Sequence, residues 1–349
     1  MKGTWILKSP VYVIGRGNCV GKKEGEGPLG DQFDQVEGDE YFGENSFEMA
    51  EMKFQQTALK HALMRSGLEE KELDMLAGGD LLNQCIASAY SVRESGVPFM
   101  GLYGACSTMA LSTLSITLGL AAGLAKTAGA VTSSHFCSAE RQFRYPLEYA
   151  GQRTPTSQWT VTGGGALIVR TKKEAPYVCA VTAGTVEDYG IKDANNMGAA
   201  MAPAACSTIC RFFKDTSTKP QDYDLILTGD LGKVGSDLLY ELTEREGYTI
   251  HQNHRDCGLI IFDREAQPEV VAGGSGCGCS ASVLCGHILP QLRDGSLKNV
   301  LFIATGALLS TTSTQQGESI PGIAHLVYLS NEPGEPMRNR SSGGRKGGV

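Results

Sequence analysis

Asp74-Met-Leu-Ala-Gly-Gly-Asp80-Leu81 returns in the second half of the chain as Asp224-Leu-Ile-Leu-Thr-Gly-Asp230-Leu231. In both copies a short apolar run leads to an acidic residue and a leucine, the pattern of a buried strand ending at a polar turn. A second pair follows in the same order. Cys106-Ser107 opens one apolar helical stretch and Cys279-Ser280 another, and the step from Cys106 to Thr132 equals the step from Cys279 to Thr305. Two matches in one order predict a duplicated chain whose halves each run strand, helix, strand. The second pair is set further apart than the first, and the surplus falls between Leu231 and Gly273. There Glu241 to Asp256 is strongly polar and reads as a surface excursion that carries His251 and His254 into solvent.

Working outward, strand-like runs alternate with helical ones, which indicates an α/β protein with buried sheets. The spacing of Phe47, Ala50, Phe54, Ala58 and Ala62 predicts a helix over Ser46 to Ser66. Met109 to Ala125 is apolar all round and reads as a buried helix. Strands are expected at Leu73 to Ala77, Ala128 to Ser133, Ala166 to Arg170, Val178 to Thr182, Asp224 to Thr228, Gly258 to Phe262 and Val300 to Ala304. The chain has 349 residues, room for two domains or one large duplicated one. The division expected is 1–176, 177–330 and a basic tail at 331–349 that reads as solvated and disordered.

Composition narrows the function. Net charge is −7, from 31 basic and 38 acidic residues, so no overall field draws the chain to nucleic acid or anionic lipid. Eleven cysteines without a secretory signal read as free thiols in a reducing compartment. The uncharged stretch from Ser95 to Ala125 is broken by Pro98, Gly101 and Gly104 and is not a membrane span. Cys277, Cys279 and Cys285 lack the spacing of a zinc site, and the glycine runs at 163–165 and 273–276 lack that of a phosphate loop. Neither metal nor cofactor is expected.

The main chemical candidate is Gly104-Ala105-Cys106-Ser107-Thr108, where an extended run meets the buried helix. A cysteine there faces the free N–H groups of a helix start, which favour a thiolate or a bound anion. A buried, inert core cysteine is the alternative. Ser133, Ser134 and His135 end the following strand, where open α/β sheets present groups to ligands. Of six histidines only His135 and His325 suit a pocket, and neither position decides the matter. Arg141, Arg144 and Arg153 surround Phe143, Tyr145, Pro146 and Tyr149, and Lys192 and Arg211 flank Asn195 and Asn196. Arginine is the side chain that grips carboxylates at two points.

Tyr103-Gly-Ala-Cys106-Ser-Thr-Met-Ala110, Thr162-Gly-Gly-Gly-Ala-Leu-Ile168 and Gly276-Cys-Gly-Cys-Ser-Ala-Ser282-Val283 resemble the landmarks of the thiolase-fold superfamily, in particular its ketoacyl-ACP synthase III branch. Ile191-Lys-Asp-Ala-Asn195-Asn196-Met-Gly, Ser133-Ser-His135-Phe and Thr314-Gln-Gln-Gly-Glu-Ser-Ile-Pro-Gly-Ile-Ala-His325 resemble, more narrowly, the stage V sporulation AD family of endospore-forming bacteria, over nearly all of residues 3 to 330. The resemblance implies duplicated αβαβα layers and makes Cys106 the counterpart of the acyl-accepting cysteine. The catalytic histidine of the condensing enzymes would fall at Gly229 and the catalytic asparagine at Cys277. Losing one such donor costs about a hundred- to a thousandfold in rate, so little condensing activity is expected.

What the narrower resemblance implies is a non-catalytic binder of pyridine-2,6-dicarboxylate (dipicolinic acid) that works with membrane proteins of the same operon. It would lie in the forespore or spore, on the surface of the inner membrane, with no signal peptide or transmembrane segment, and a homodimer is plausible on the same ground. Contacts are expected from Cys106, Ser133, Ser134, His135, Arg144, Asn195 and Asn196. An active cysteine-dependent acyltransferase and a purely structural assembly protein are the competing readings.

Overall fold

The computed structural model describes residues 3–144, 153–171 and 176–333. Ten strands form one continuous sheet: β1 (Thr4–Gly21), β2 (Met75–Gly79), β3 (Phe99–Gly101), β4 (Thr127–Ser134), β5 (Gly163–Arg170), β6 (Tyr177–Thr182), β7 (Leu225–Thr228), β8 (His254–Asp256), β9 (Asn299–Ala307) and β10 (Gly322–Ser330). A short strand at Val36–Glu37 pairs with β1 beside this path. The order is β8-β7-β9-β10-β6-β1-β5-β4-β2-β3. Taken from either edge, chain positions repeat as third, second, fourth, fifth and first, the arrangement a duplicated chain produces. The two runs meet where β1 pairs antiparallel with β6.

The helices that position the site are α1 (Phe47–Ser66), α2 (Ile86–Val92), α3 (Thr108–Ala121), α4 (Phe136–Phe143), α5 (Met197–Thr216), α6 (Gly232–Arg245) and α7 (Cys277–Val283). Helix α1 packs on β1 and β5, and α5 on β9 and β10. Helix α3 lies between, touching β2 and β4 of one run and β9 and β10 of the other. That central position explains its sequence: both faces are buried, so it needs no polar stripe. Ser46 caps α1, its hydroxyl accepting from Met49 N, and Gly67 closes the helix in the left-handed region at φ 68°. Two glycines set the layer spacing. A Cβ on Gly17 would sit 2.2 Å from Ala58 O of α1, and one on Gly165 would sit 2.4 Å from Ala281 O of α7.

The repeat is visible in hydrogen bonds. Asp74 Oδ2 accepts from the backbone N–H groups of Lys126 and Thr127, and Asp224 Oδ2 accepts from those of Lys298 and Asn299. Strand pairing fixes the register one position away from that of the two cysteines. Gly78 pairs with Val131 and its counterpart Thr228 with Ile303, so Thr305 corresponds to Ser133 rather than to Thr132.

Three expectations are corrected. Gly258 to Phe262 is not a strand. Its start belongs to a helical turn, Cys257–Ile260, and a short apolar run does not by itself distinguish the two. The polar excursion is a helix, α6, as far as Arg245, and His254 is buried in β8, held between Thr228 Oγ1 and the Tyr240 hydroxyl at 2.9 Å each. His251, by contrast, is exposed. Strands β1 and β10 and helix α5 were not anticipated. Most of the tail lies outside the described residues, as do Tyr145, Pro146 and Tyr149.

Candidate functional site

Between β3 and α3 the chain turns sharply, with Ala105 at φ 49° and Cys106 next to it. Cys106 opens onto a cavity of about 240 Å³, of small-molecule scale. Ala139, Glu140, Phe143 and Arg144 line it from α4 and its end, Ala194, Asn195 and Met197 from the approach to α5, and Ala307 and Leu309 from the end of β9. A two-stranded parallel ribbon, Trp159–Thr160 against Gly274–Ser275, brings Gln158, Thr160 and Ser275 to the same wall. The lining is largely apolar with a few converging polar groups, the usual character of a ligand site.

Of the residues singled out from sequence, Cys106, Arg144 and Asn195 line this cavity. Ser133, Ser134, His135 and Asn196 do not, and each has other partners. The Ser133 hydroxyl donates to Glu51 Oε1 (3.2 Å) and accepts from Gln55 Nε2 (3.3 Å). The Ser134 hydroxyl donates to Val161 O at 2.7 Å and accepts from Gly278 N at 3.1 Å. His135 caps α4 through Nδ1, which accepts from Cys137 N, while Nε2 bonds Glu40 O at 2.8 Å. Asn196 caps α5, its Oδ1 accepting from Ala199 N. His325 is buried and accepts from Gly184 N through Nδ1. At the end of β4, Ser133 thus faces α1 and Ser134 faces Val161 and the start of α7, neither of them the cavity.

Cys106 Sγ lies 3.9 Å from Ser275 Oγ, and that hydroxyl donates to Asp230 Oδ2 at 3.2 Å. Burial, reinforced by the nearby Asp230 carboxylate, holds the thiol well above its ordinary range, so the helix start does not yield a thiolate. None of the lining residues is a histidine. Gly229 is confined: a Cβ there would lie 3.1 Å from both Ala304 Cα and Thr305 N. At Cys277 the thiol donates to Ser133 O at 2.9 Å and supplies no amide. Gln158 does line the cavity, but both hydrogens of its amide are spent on Asp230 O and Gly274 O. Iodoacetamide at neutral pH should therefore modify Cys106 far more slowly than it does free cysteine. Intact-protein mass spectrometry with peptide mapping reads this, and rapid stoichiometric alkylation at Cys106 would contradict it.

Cation placement is the site's other feature. Glu140 is shared by two arginines, Arg153 Nη2 at 3.1 Å and Arg144 Nε at 3.5 Å. Arg153 is further held by Gln158 O and by the Trp159 ring, 4.6 Å from its guanidinium carbon. Arg144 Nη2 is buried and has no hydrogen-bond partner among the described residues. One guanidinium thus lines the cavity, a second stands behind it on the shared Glu140, and Arg144 Nη2 is a donor without a partner among the described residues.

Beneath the ribbon lie two buried carboxylates with no basic partner among the described residues. Asp230 takes Ser275 Oγ, Gly276 N and Thr305 Oγ1, and burial pushes it up to about 6. Asp256 takes Thr228 Oγ1 and the N–H groups of Leu231 and Gly232, and burial pushes it up to about 7. An unfolded aspartate ionises near 3.9, so between about pH 4 and 7 the folded chain holds more protons and these groups make stability fall as pH rises. Asp256→Asn should flatten the fall of the urea midpoint between pH 5 and pH 8. An unchanged slope would remove Asp256 from the effect.

The family model for stage V sporulation protein AD matches residues 1–330. The chain belongs to the stage V sporulation protein AD family. A curated member from Bacillus subtilis (strain 168) is 45% identical over 334 residues, covering 95% of this chain and 98% of that protein. Among solved structures, 3-oxoacyl-[acyl-carrier-protein] synthase III from Aquifex aeolicus VF5 matches with TM-score 0.54 and 14% identity, over 92% of this chain and 99% of that one. A variant of Xanthomonas campestris OleA matches with TM-score 0.60 and 11% identity, over 93% and 100%. At such identities only the fold is shared, and it is the thiolase fold expected from the glycine and cysteine landmarks. Among the described residues no helix of this family member is long and apolar enough to cross a membrane.

Proposed function

We propose that this chain is a non-catalytic binding protein for pyridine-2,6-dicarboxylate, serving the assembly that moves it into the developing spore. The observation that carries the reading is the buried Nη2 of Arg144, which has no hydrogen-bond partner among the described residues, in a cavity that no histidine lines beside the Cys106 thiol. A planar aromatic acid suits such a space: Phe143, Leu309 and Met197 offer apolar contact, and Arg144 and Asn195 offer polar ends. Family membership supplies the sporulation setting. Membrane proteins of the same operon would perform the translocation, with this chain docked at the inner membrane of the forespore, as a monomer or a homodimer.

Calorimetric titration tests this directly. Pyridine-2,6-dicarboxylate should bind with one site per chain, and a non-planar dicarboxylate of equal charge should bind much more weakly. Absence of binding would favour a structural role. The opening of Cys106 onto the cavity keeps a second reading in play, acyl transfer through that thiol. It requires acyl-CoA to label Cys106 and turn over.

A further inference from the structure

Two side chains that line the cavity each carry a buried polar atom without a hydrogen-bond partner among the described residues, Arg144 Nη2 and Gln158 Oε1. The first can only donate and the second can only accept. The Gln158 amide is fixed in this orientation, because Nε2 donates to Asp230 O at 2.7 Å and to Gly274 O at 2.8 Å. Flipping it would set its oxygen against two carbonyl oxygens. An unmet buried polar group is costly, and a ligand bringing both an acceptor and a donor recovers that cost twice. A fully ionised pyridine dicarboxylate brings acceptors only.

We propose that the cavity takes its ligand as a hydrogen anion, with a carboxylate oxygen on Arg144 Nη2 and an O–H or N–H of the same molecule on Gln158 Oε1. The inference rests on the dicarboxylate reading above and adds the protonation state. Carboxyl groups are ionised at neutral pH, so capture at pH 7 draws a proton from solvent, and affinity declines as pH rises. The charged and titratable groups lining the cavity are Glu140 of α4, Arg144 at its end, and Cys106 and Tyr103 on the side of α3, with Arg153 behind them on Glu140 and the Gln158 carbonyl. Asp230 stands behind Ser275 and is the competing destination for the proton.

Calorimetry at pH 7 and 8, in buffers of different ionisation heat, counts the protons. The probes are pyridine-2,6-dicarboxylate and its monoamide, which carries one carboxylate and a permanent N–H donor. The dicarboxylate should take up close to one proton and lose about tenfold in affinity per pH unit, in the parent chain and equally in Asp230→Asn. The monoamide should bind with no proton uptake and a flat pH profile. Gln158→Met should abolish the uptake by the dicarboxylate. Binding of the dicarboxylate without a proton, or uptake that disappears in Asp230→Asn, overturns the inference and leaves the ligand assignment standing. Binding of neither probe overturns the ligand assignment, and the inference with it.

Discussion

The Arg144→Met variant is expected to bind pyridine-2,6-dicarboxylate at least tenfold more weakly than the parent chain while unfolding at nearly the same urea concentration. A hydrogen bond to a charged group is worth about 1.5–3 kcal/mol, which corresponds to roughly ten- to 150-fold in affinity. The loss falls on binding rather than folding because of how the side chain is held. Its contact with Glu140 is long, 3.5 Å, and Glu140 keeps Arg153 at 3.1 Å when Arg144 is removed. Methionine retains the length and apolar character of the stem. Burial draws the guanidinium below its ordinary range and Glu140 raises it again, so the group remains a cation at neutral pH. Arg144→Lys should recover only part of the affinity, since an ammonium lacks the planar fork. Equal affinities in all three proteins, by calorimetry, would remove Arg144 from the site.

Asp230→Ala is the substitution expected to cost most in stability, about 3 kcal/mol or more. The carboxylate receives Gly276 N, Ser275 Oγ and Thr305 Oγ1, at 2.9, 3.2 and 2.9 Å, and is fully buried. Alanine leaves the N–H at the start of α7 without an acceptor and two hydroxyls to find new ones, at about 1–3 kcal/mol for each group that fails. Removing a buried charge returns part of this, which is why Asp230→Asn, with one acceptor oxygen, should lose much less. Urea unfolding at pH 7 measures both. A loss below about 1 kcal/mol for alanine would show that solvent already satisfies these donors.

The duplication was legible because strand ends repeat their chemistry: Asp74 and Asp224 make the same pair of bonds to the following strand. The cavity was legible in part. Cys106 could be placed by its strand-to-helix turn, and Arg144 by the cluster of arginines among aromatics. Ser133, Ser134 and His135 were expected to face a ligand because they end a strand, but buried Glu51 and Gln55 on α1 engage Ser133, and no local pattern announces a buried carboxylate. Asp230 stood in the quoted repeat, yet its role differs from that of Asp80. Asp80 bonds Leu82 in the following turn and Ser88 in the helix after it, while Asp230 reaches across to Ser275, Gly276 and Thr305. Gln158 was missed outright, because it reaches the cavity through a ribbon whose two strands lie far apart in the chain.

The first strand has a consequence for how the molecule is made. Tyr12 pairs with Arg170 on one side and Tyr177 on the other, and Ile6 pairs with Ala180. This strand therefore leaves the ribosome well before its partners around residues 163–182, and at typical translation speed the gap is roughly 10–30 s. During that interval the 18 residues of the strand have no antiparallel neighbour on either side. An unpaired strand is a template for aggregation, so shielding this segment while it waits protects the yield of folded protein.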